Sequence, residues 1–443
     1  MWDVLKDRRY RHLFLAQVVA ILGTGLATVA LGLLAYDLAG ENAALVLGTV
    51  FTIKMVAYVG IAPLAAALAD RIDRRRLLVG LDGLRAAAAL SLPFVGEVWQ
   101  VYVLIFLMQA ASAGFTPIFQ ATIPDVLPDE KRFTQALSLS RLAYDLESIV
   151  SPLLAGLLLV VVSHNTLFLG TVLGFLGSAL LVVSVSLPSP EPDRSTRRGI
   201  YDRTTRGIRI YLATPRLRGL LALCFSVSAA GAMVLVNSVV LVRAELGLSA
   251  SALAWAMCAF GGGSMMTALA LPRLLDGVRD RPVMLFGALL MGSVLTLLAV
   301  VNMTSGLSWG VLLLAWILIG VGYSAVMTPS GRLLKRSSQA ADRPAIFAAQ
   351  FALSHACWLL SYPLSGWLMT RFGTSVTLFV LAAMTALGCL VAARLWPGAN
   401  DTEVEHTHDN LPLDHPHLNG VRRHRHALVI DDDHPYWGDH FRG

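Results

Sequence analysis

Ala66-Ala67-Leu68-Ala69-Asp70-Arg71-Ile72-Asp73-Arg74-Arg75-Arg76 is a charged knot tied between two long apolar runs. The run before it, Leu45–Ala69, carries one charge, Lys54; the run after it, Leu77–Val95, carries Asp82 and Arg85. A helix needs ~20 mostly apolar residues to cross the hydrocarbon core of a bilayer, so each run is long enough to be a span. Arginines packed into so short a connection mark the side of the membrane on which it stays, because positive residues are retained in the cytoplasm.

The pattern repeats along the chain. Qualifying stretches are Leu13–Ala35, Leu45–Ala69, Leu77–Val95, Tyr102–Ile123, Ala136–Val162, Thr166–Leu187, Leu220–Val242, Ala252–Leu271, Val283–Val301, Trp309–Thr328, Ala345–Met369 and Val376–Leu395. Apolar residues make up 56% of the 443, charged residues only 14%. Soluble domains carry about 25% charged residues, so lipid is the expected solvent. The fold class that follows is all-α integral membrane, with twelve transmembrane helices in two six-helix bundles. The first stretch is too long for a removable signal peptide and lacks a small-residue cleavage site, so it is expected to remain as the first span. With the N-terminus inside, the cytoplasmic loops hold twenty-five Lys and Arg, and the opposite loops hold only Arg243 and Arg371. That split predicts a multi-pass inner-membrane protein with both termini cytoplasmic. It also accounts for the +6 net charge without nucleic acid. Cys224, Cys258, Cys357 and Cys389 all fall inside spans, with no CxxC spacing, which argues against a disulfide framework.

Four segments are expected: residues 1–187 as an N-terminal six-helix bundle, 188–218 as a basic linker, 219–396 as a second six-helix bundle, and 397–443 as a disordered tail. Pro188, Pro190 and Pro192 open the linker, and Ile208, Ile210, Tyr211 and Leu212 interleave with Arg206 and Arg209 as in a short interfacial helix. Two six-helix halves joined by a basic loop is the layout of many secondary transporters, whose substrate site lies near the midplane between the halves.

The loop at residues 66–76 resembles the conserved loop G-x-L-A-D-R-x-G-R-R of the major facilitator superfamily, with Ala66 and Asp73 at the glycine positions. The resemblance implies that Asp70, Arg71, Arg74 and Arg75 form a latch biasing the conformational switch. Leu275–Arg281 is a degraded copy in the second half. Ser151-Pro152-Leu153-Leu154-Ala155-Gly156 is similar to a weakened antiporter motif of that family. The stretch Ala349–Pro363 and the closing His424–Trp437 resemble bacterial nickel-resistance permeases, exporters with a histidine-rich cytoplasmic end. That resemblance implies export of Ni2+ first and Co2+ second.

Charged side chains deep in a span cost ~3 kcal/mol unless paired or hydrated, so they are functional candidates. Lys54, Asp145, Glu147 and His355 all fall near the middle of their spans. Arg141 and Asp145, four apart, share a helix face and can pair, either for function or for architecture. Glu147 lies about 200° round the helix and faces another neighbour. Lys54 is the natural partner for one of these carboxylates. His355 sits with Gln350, Ser354, Cys357 and Tyr362 as a ligand or proton carrier. Asp82 and Arg85 read as structural support for the latch loop.

The tail holds eight of the eleven histidines, in the pairs His406/His408, His415/His417 and His424/His426, followed by His434 and His440, with acidic residues nearby. Imidazole suits nickel, zinc, copper and cobalt, so His406, His408, His415, His417, His424, His426 and His434 are candidate metal ligands. The expected function is proton-coupled export of a divalent transition metal. Metal cation, protons and lipid are the expected partners, the chain is expected to be monomeric, and no resident cofactor is expected. A drug or siderophore exporter of the same superfamily is the alternative within transport. A membrane-tethered metal sensor is the alternative of another class. No nucleophile–base spacing or nucleotide loop argues for an enzyme.

Overall fold

A computed structural model describes residues 2–39, 43–69, 72–188, 200–396, 404–407, 423–426 and 429–430. The first half comprises α1 (Arg8–Ala39), α2 (Ala43–Ala69), α3 (Arg74–Ser91), α4 (Val98–Val126), α5 (Glu130–Leu158) and α6 (His164–Val183). A shorter amphipathic helix, α7 (Ile200–Ala213), precedes α8 (Pro215–Val239), α9 (Ala250–Gly277), α10 (Asp280–Thr304), α11 (Trp309–Met327), the short α12 (Ser330–Arg336) and α13 (Arg343–Leu395). α13 is two spans in one run: Gly373, at φ +73, breaks it where the eleventh and twelfth apolar stretches meet.

Among the described residues, ten helices are long and apolar enough to cross a membrane, with the two limbs of α13 taken together. α5, 29 residues long, carries Arg141, Asp145 and Glu147 and supplies the remaining span of a twelve-helix arrangement. Polar caps carry several helices beyond their apolar runs. Asp129 accepts from Arg132 N at 2.8 Å, so α5 starts at Glu130, ahead of the expected Ala136. Asp73 accepts from Arg76 N at 3.0 Å and starts α3; this aspartate stands at a glycine position of the superfamily loop and serves here as an N-cap.

Within the first half α1 packs on α6 and α5, and α4 on α2 and α3; within the second, α13 packs on α8 and α10, and α11 on α9 and α10. Small residues bring α9 and α11 together: a Cβ at Gly263 would collide with the Ile317 carbonyl, and one at Gly320 with the Phe260 carbonyl. Each half has its own apolar core, and α2 and α4 meet α13 through Ala62, Ala66, Ala113, Ala348, Phe351 and Ala352. Asp82 and Arg85 form a buried ion pair, with the guanidinium 4.0 Å from the Phe115 ring centroid and 4.5 Å from that of Phe175. Their position is structural.

The tail departs from the expected disordered segment at two short strands. β1 (Val404–Thr407) pairs antiparallel with β2 (Arg423–His426), placing His406 opposite His424 and Val404 opposite His426. Ile430 is buried and joins the apolar core of the second half.

Candidate functional site

A cavity of about 360 Å³ lies on the seam between the halves, walled by residues of α1, α2, α4 and α5 on one side and α11, α12 and α13 on the other. Gln17, Tyr58, Arg141 and His355 line it. Each stands roughly ten residues from the end of its helix that bears the arginine-rich loops, hereafter the basic end. At 1.5 Å per residue that is ~15 Å, the middle of a ~30 Å hydrocarbon core.

His355 is held by its own helix. Its Nδ1 lies 2.7 Å from the Phe351 carbonyl oxygen, which can only accept. In the neutral ring Nδ1 therefore carries the proton, and Nε2 keeps its lone pair on a cavity-lining residue. The ring is clamped by Phe351 (centroids 4.2 Å) and by the edge of Tyr58 (4.8 Å), whose hydroxyl donates to Gln109 Oε1 at 3.1 Å.

Arg141 pairs with Asp145 as its spacing predicts, and it also crosses the seam. Its Nε donates to Ser264 Oγ of α9 at 3.0 Å, and its guanidinium lies 4.6 Å from the Tyr323 ring centroid on α11. Gln350 lines the cavity while its amide donates to Cys224 Sγ at 3.2 Å and its Oε1 accepts from the Tyr211 hydroxyl of α7.

Other sequence candidates lie elsewhere. Glu147 faces α1, where a Cβ at Gly25 would collide with Glu147 and Ser151. Lys54 makes no direct ion pair among the described residues; its Nζ sits 5.5 Å from the Tyr58 ring centroid, and its charge acts on Glu147, one of the two expected carboxylates, without contact. The Cys357 thiol donates to its own helix at Leu353 O, 3.4 Å away, and the residue is not part of the cavity wall. Asp70, Arg71, His408, His415, His417 and His434 lie outside the described residues, while His406, His424 and His426 are described in their strands. Among the described residues, no three His, Cys, Asp or Glu side chains gather closely enough to hold a metal ion.

Below the cavity the basic end is closed by charge. Asp125, at the end of α4, accepts from Arg74 of α3 at 2.6 Å and also pairs with Arg343 of α13 in the opposite half. Arg75 donates to the Val183 carbonyl. Arg332 of α12 reaches Glu130 at 2.7 Å and Asp280 at 3.4 Å; Arg336 holds Asp280 at 2.9 Å and also Glu130. Lys131 meets Asp276 at 3.0 Å. Arg206 of α7 clasps Asp342 through Nε at 2.6 Å and a second nitrogen at 2.9 Å. Sequence reasoning found the arginines, and held Asp280 only as part of the degraded loop copy, but missed Asp125, Glu130 and Asp342, whose helix-end positions were the available signal.

Two six-helix halves, a mostly apolar cavity with a few polar side chains at mid-depth and a charge-closed end are the layout of secondary transporters. The Major Facilitator Superfamily model matches residues 13–239 and 221–429, and the chain belongs to that family. It is similar to macrolide efflux protein A of Streptococcus pyogenes, 26% identical over 185 residues, covering 41% of this chain and 45% of that protein. The chain thus spans about half the length of the curated relatives it matches. Its fold is similar to that of the human organic anion transporter MFSD10 (TM-score 0.75, 13% identity, covering 87% of this chain and 99% of that one). It is also similar in fold to a bacterial homologue of the iron transporter ferroportin in its outward-facing state (TM-score 0.74, 14% identity, 87% and 99%).

Proposed function

We propose that this protein is a secondary active exporter that moves a divalent transition metal, Ni2+ first and Co2+ second, out of the cytoplasm in exchange for protons. The basic end faces the cytoplasm, both termini lie there, and the membrane is a bacterial inner membrane. The observation carrying this reading is His355, a mid-depth, seam-lining residue whose Nδ1–H is held by a backbone carbonyl, so that Nε2 keeps the lone pair. One imidazole with retained water suits a cargo that must be released, whereas a closed four-ligand cage would trap it. The cycle follows from competition at Nε2: neutral imidazole takes the metal, and a proton arriving from outside forms the N–H bond as the metal–nitrogen bond breaks. Asp70, Arg71, Arg74 and Arg75 serve as the latch. Asp145 and Glu147 are candidate proton carriers, with Lys54, Arg141, Gln350 and Cys357 tuning the pathway.

A second reading, export of a small amphipathic organic solute, is favoured by the remainder of the cavity wall. Besides His355 and Arg141 it offers amides, hydroxyls, aromatic rings and apolar groups. Its volume is near the small end of the ~300–1,000 Å³ typical of ligand sites. The name of the streptococcal relative supports the same reading. The deciding experiment is proton-driven uptake of nickel, cobalt and zinc into inverted vesicles, with a fluorescent lipophilic drug in parallel. The metal reading expects metal uptake that falls at least ~10-fold in His355→Ala, equal to ~1.4 kcal/mol of barrier. Drug uptake with no metal uptake establishes the second reading. Metal binding without any flux establishes a membrane-tethered sensor.

A further inference from the structure

α10 and the second limb of α13 leave a groove of about 620 Å³ between them on the surface of the second half. Small side chains, Gly292, Ser293 and Ala386, give it depth between the exposed leucines Leu289, Leu297 and Leu390. On α10 the lining runs from Ala288 to Val300, ~18 Å at 1.5 Å per residue, comparable with the ~15 Å depth of one leaflet of the hydrocarbon core. On α13 it reaches Ala393, within a turn of the helix end at Leu395. That is the basic end. None of these residues lines the cavity on the seam.

Charge is unbalanced at this end of the groove. Arg281 of α10 donates through Nε to the Trp396 carbonyl at 2.9 Å and through a terminal nitrogen to that of Ala393 at 2.8 Å, so its guanidinium is anchored at a residue of the groove wall. Arg394 is exposed one helical turn beyond Leu390, on the same helix face. Carbonyl oxygens cancel no charge. Among the described residues neither arginine meets a carboxylate, whereas Arg74, Arg206, Arg332, Arg336 and Arg343 of the same end each do. We propose that the groove seats an acyl chain of an anionic phospholipid, whose phosphate is held by Arg281 and Arg394. The planar fork of arginine matches phosphate oxygens, and basic pockets between spans accept anionic headgroups. A neutral lipid would fill the groove and leave both charges unanswered. A second copy of the chain on the same face would bring its own arginines to the same end, like charge against like.

The test is native mass spectrometry of the full-length protein in detergent, with palmitoyl-oleoyl phosphatidylglycerol as probe and phosphatidylcholine of the same chains as the neutral comparison. One phosphatidylglycerol per chain is expected to stay bound, at least ~10-fold more tightly than phosphatidylcholine, as two basic residues at an anionic headgroup imply. Arg394→Gln and Arg281→Gln should each weaken it about fivefold, the scale of one such residue. Ser293→Trp fills the groove without touching either arginine and should weaken binding of both lipids by about tenfold. Arg243→Gln, at the opposite end of the second half, and Leu173→Trp, exposed on α6, should leave binding unchanged. Because Arg281 also ties α10 to α13, the decision rests on Arg394→Gln and Ser293→Trp, whose thermal midpoints should match wild type. The proposal is overturned if the two lipids bind alike or if these two variants retain phosphatidylglycerol as wild type does. It is equally overturned if glycerol 3-phosphate displaces the lipid, or if the groove holds a second chain, seen as a dimer that Ser293→Trp dissociates.

Discussion

Asp125 is where a single carboxylate joins three helices and both halves. Arg74 and Asp125 retain only 3% and 10% of their side-chain exposure, so neither charge is compensated by water. Removing one partner of a buried ion pair costs ~3–5 kcal/mol. Asp125→Asn is therefore expected to lower the thermal midpoint in detergent. It should also raise thiol labelling of a cysteine placed at Ser140, on the cavity wall, from the basic side. Lys131–Asp276 is the contrast: with 63% and 45% of their side chains exposed, its loss in Asp276→Asn should cost less than ~1 kcal/mol in the same melt. The arginines of this region were legible because they follow one another in the chain. Their partner was not, because Asp125 sits 51 residues from Arg74 and 218 from Arg343, and nothing local announces such a meeting. Lys54 was legible in part. Depth along a helix put its charge within reach of Glu147, but depth does not fix azimuth, and the ammonium lies beside the Tyr58 ring short of a direct ion pair.

Among the elements, α13 and α7 show what hydropathy encodes and what it leaves out. The eleventh and twelfth apolar stretches were legible as separate spans. Their junction is a backbone break at Gly373, with φ +73 and ψ −176, a region that side chains exclude. Gly373→Ala is expected to destabilise the protein by ~1–3 kcal/mol, measured as a shift in the unfolding midpoint, with cargo flux at permissive temperature unchanged. Helix ends were less legible than helix centres, since caps such as Asp73 and Asp129 extend helices into polar sequence. α7 was readable from its alternation of Ile and Arg, but its anchorage was not. Arg206 grips Asp342, and Tyr211 reaches the cavity residue Gln350. Arg206→Ala should raise amide hydrogen exchange across α7 by about tenfold, a loss of ~1.4 kcal/mol in local protection. The tail ribbon was missed because its polar composition argued for disorder, although His-x-His already has the two-residue period of a strand.

At the scale of the whole molecule, the asymmetry of positive charge makes an orientation prediction. Green fluorescent protein fused after Gly443 should fluoresce, and alkaline phosphatase fused there should be inactive; the reverse result would invert the topology. The ion pairs of the basic end also describe one member of a two-state cycle, since every cross-seam contact made there must break when the cavity opens that way. Burial of Ile430 has a further consequence. Trp396 and Ile430 belong to one apolar core, so the segment between them starts and ends on the same body. Ile430→Asp should release one of those ends, which limited proteolysis between Trp396 and Ile430 would register as faster cleavage while the melt of the helical body stays unchanged.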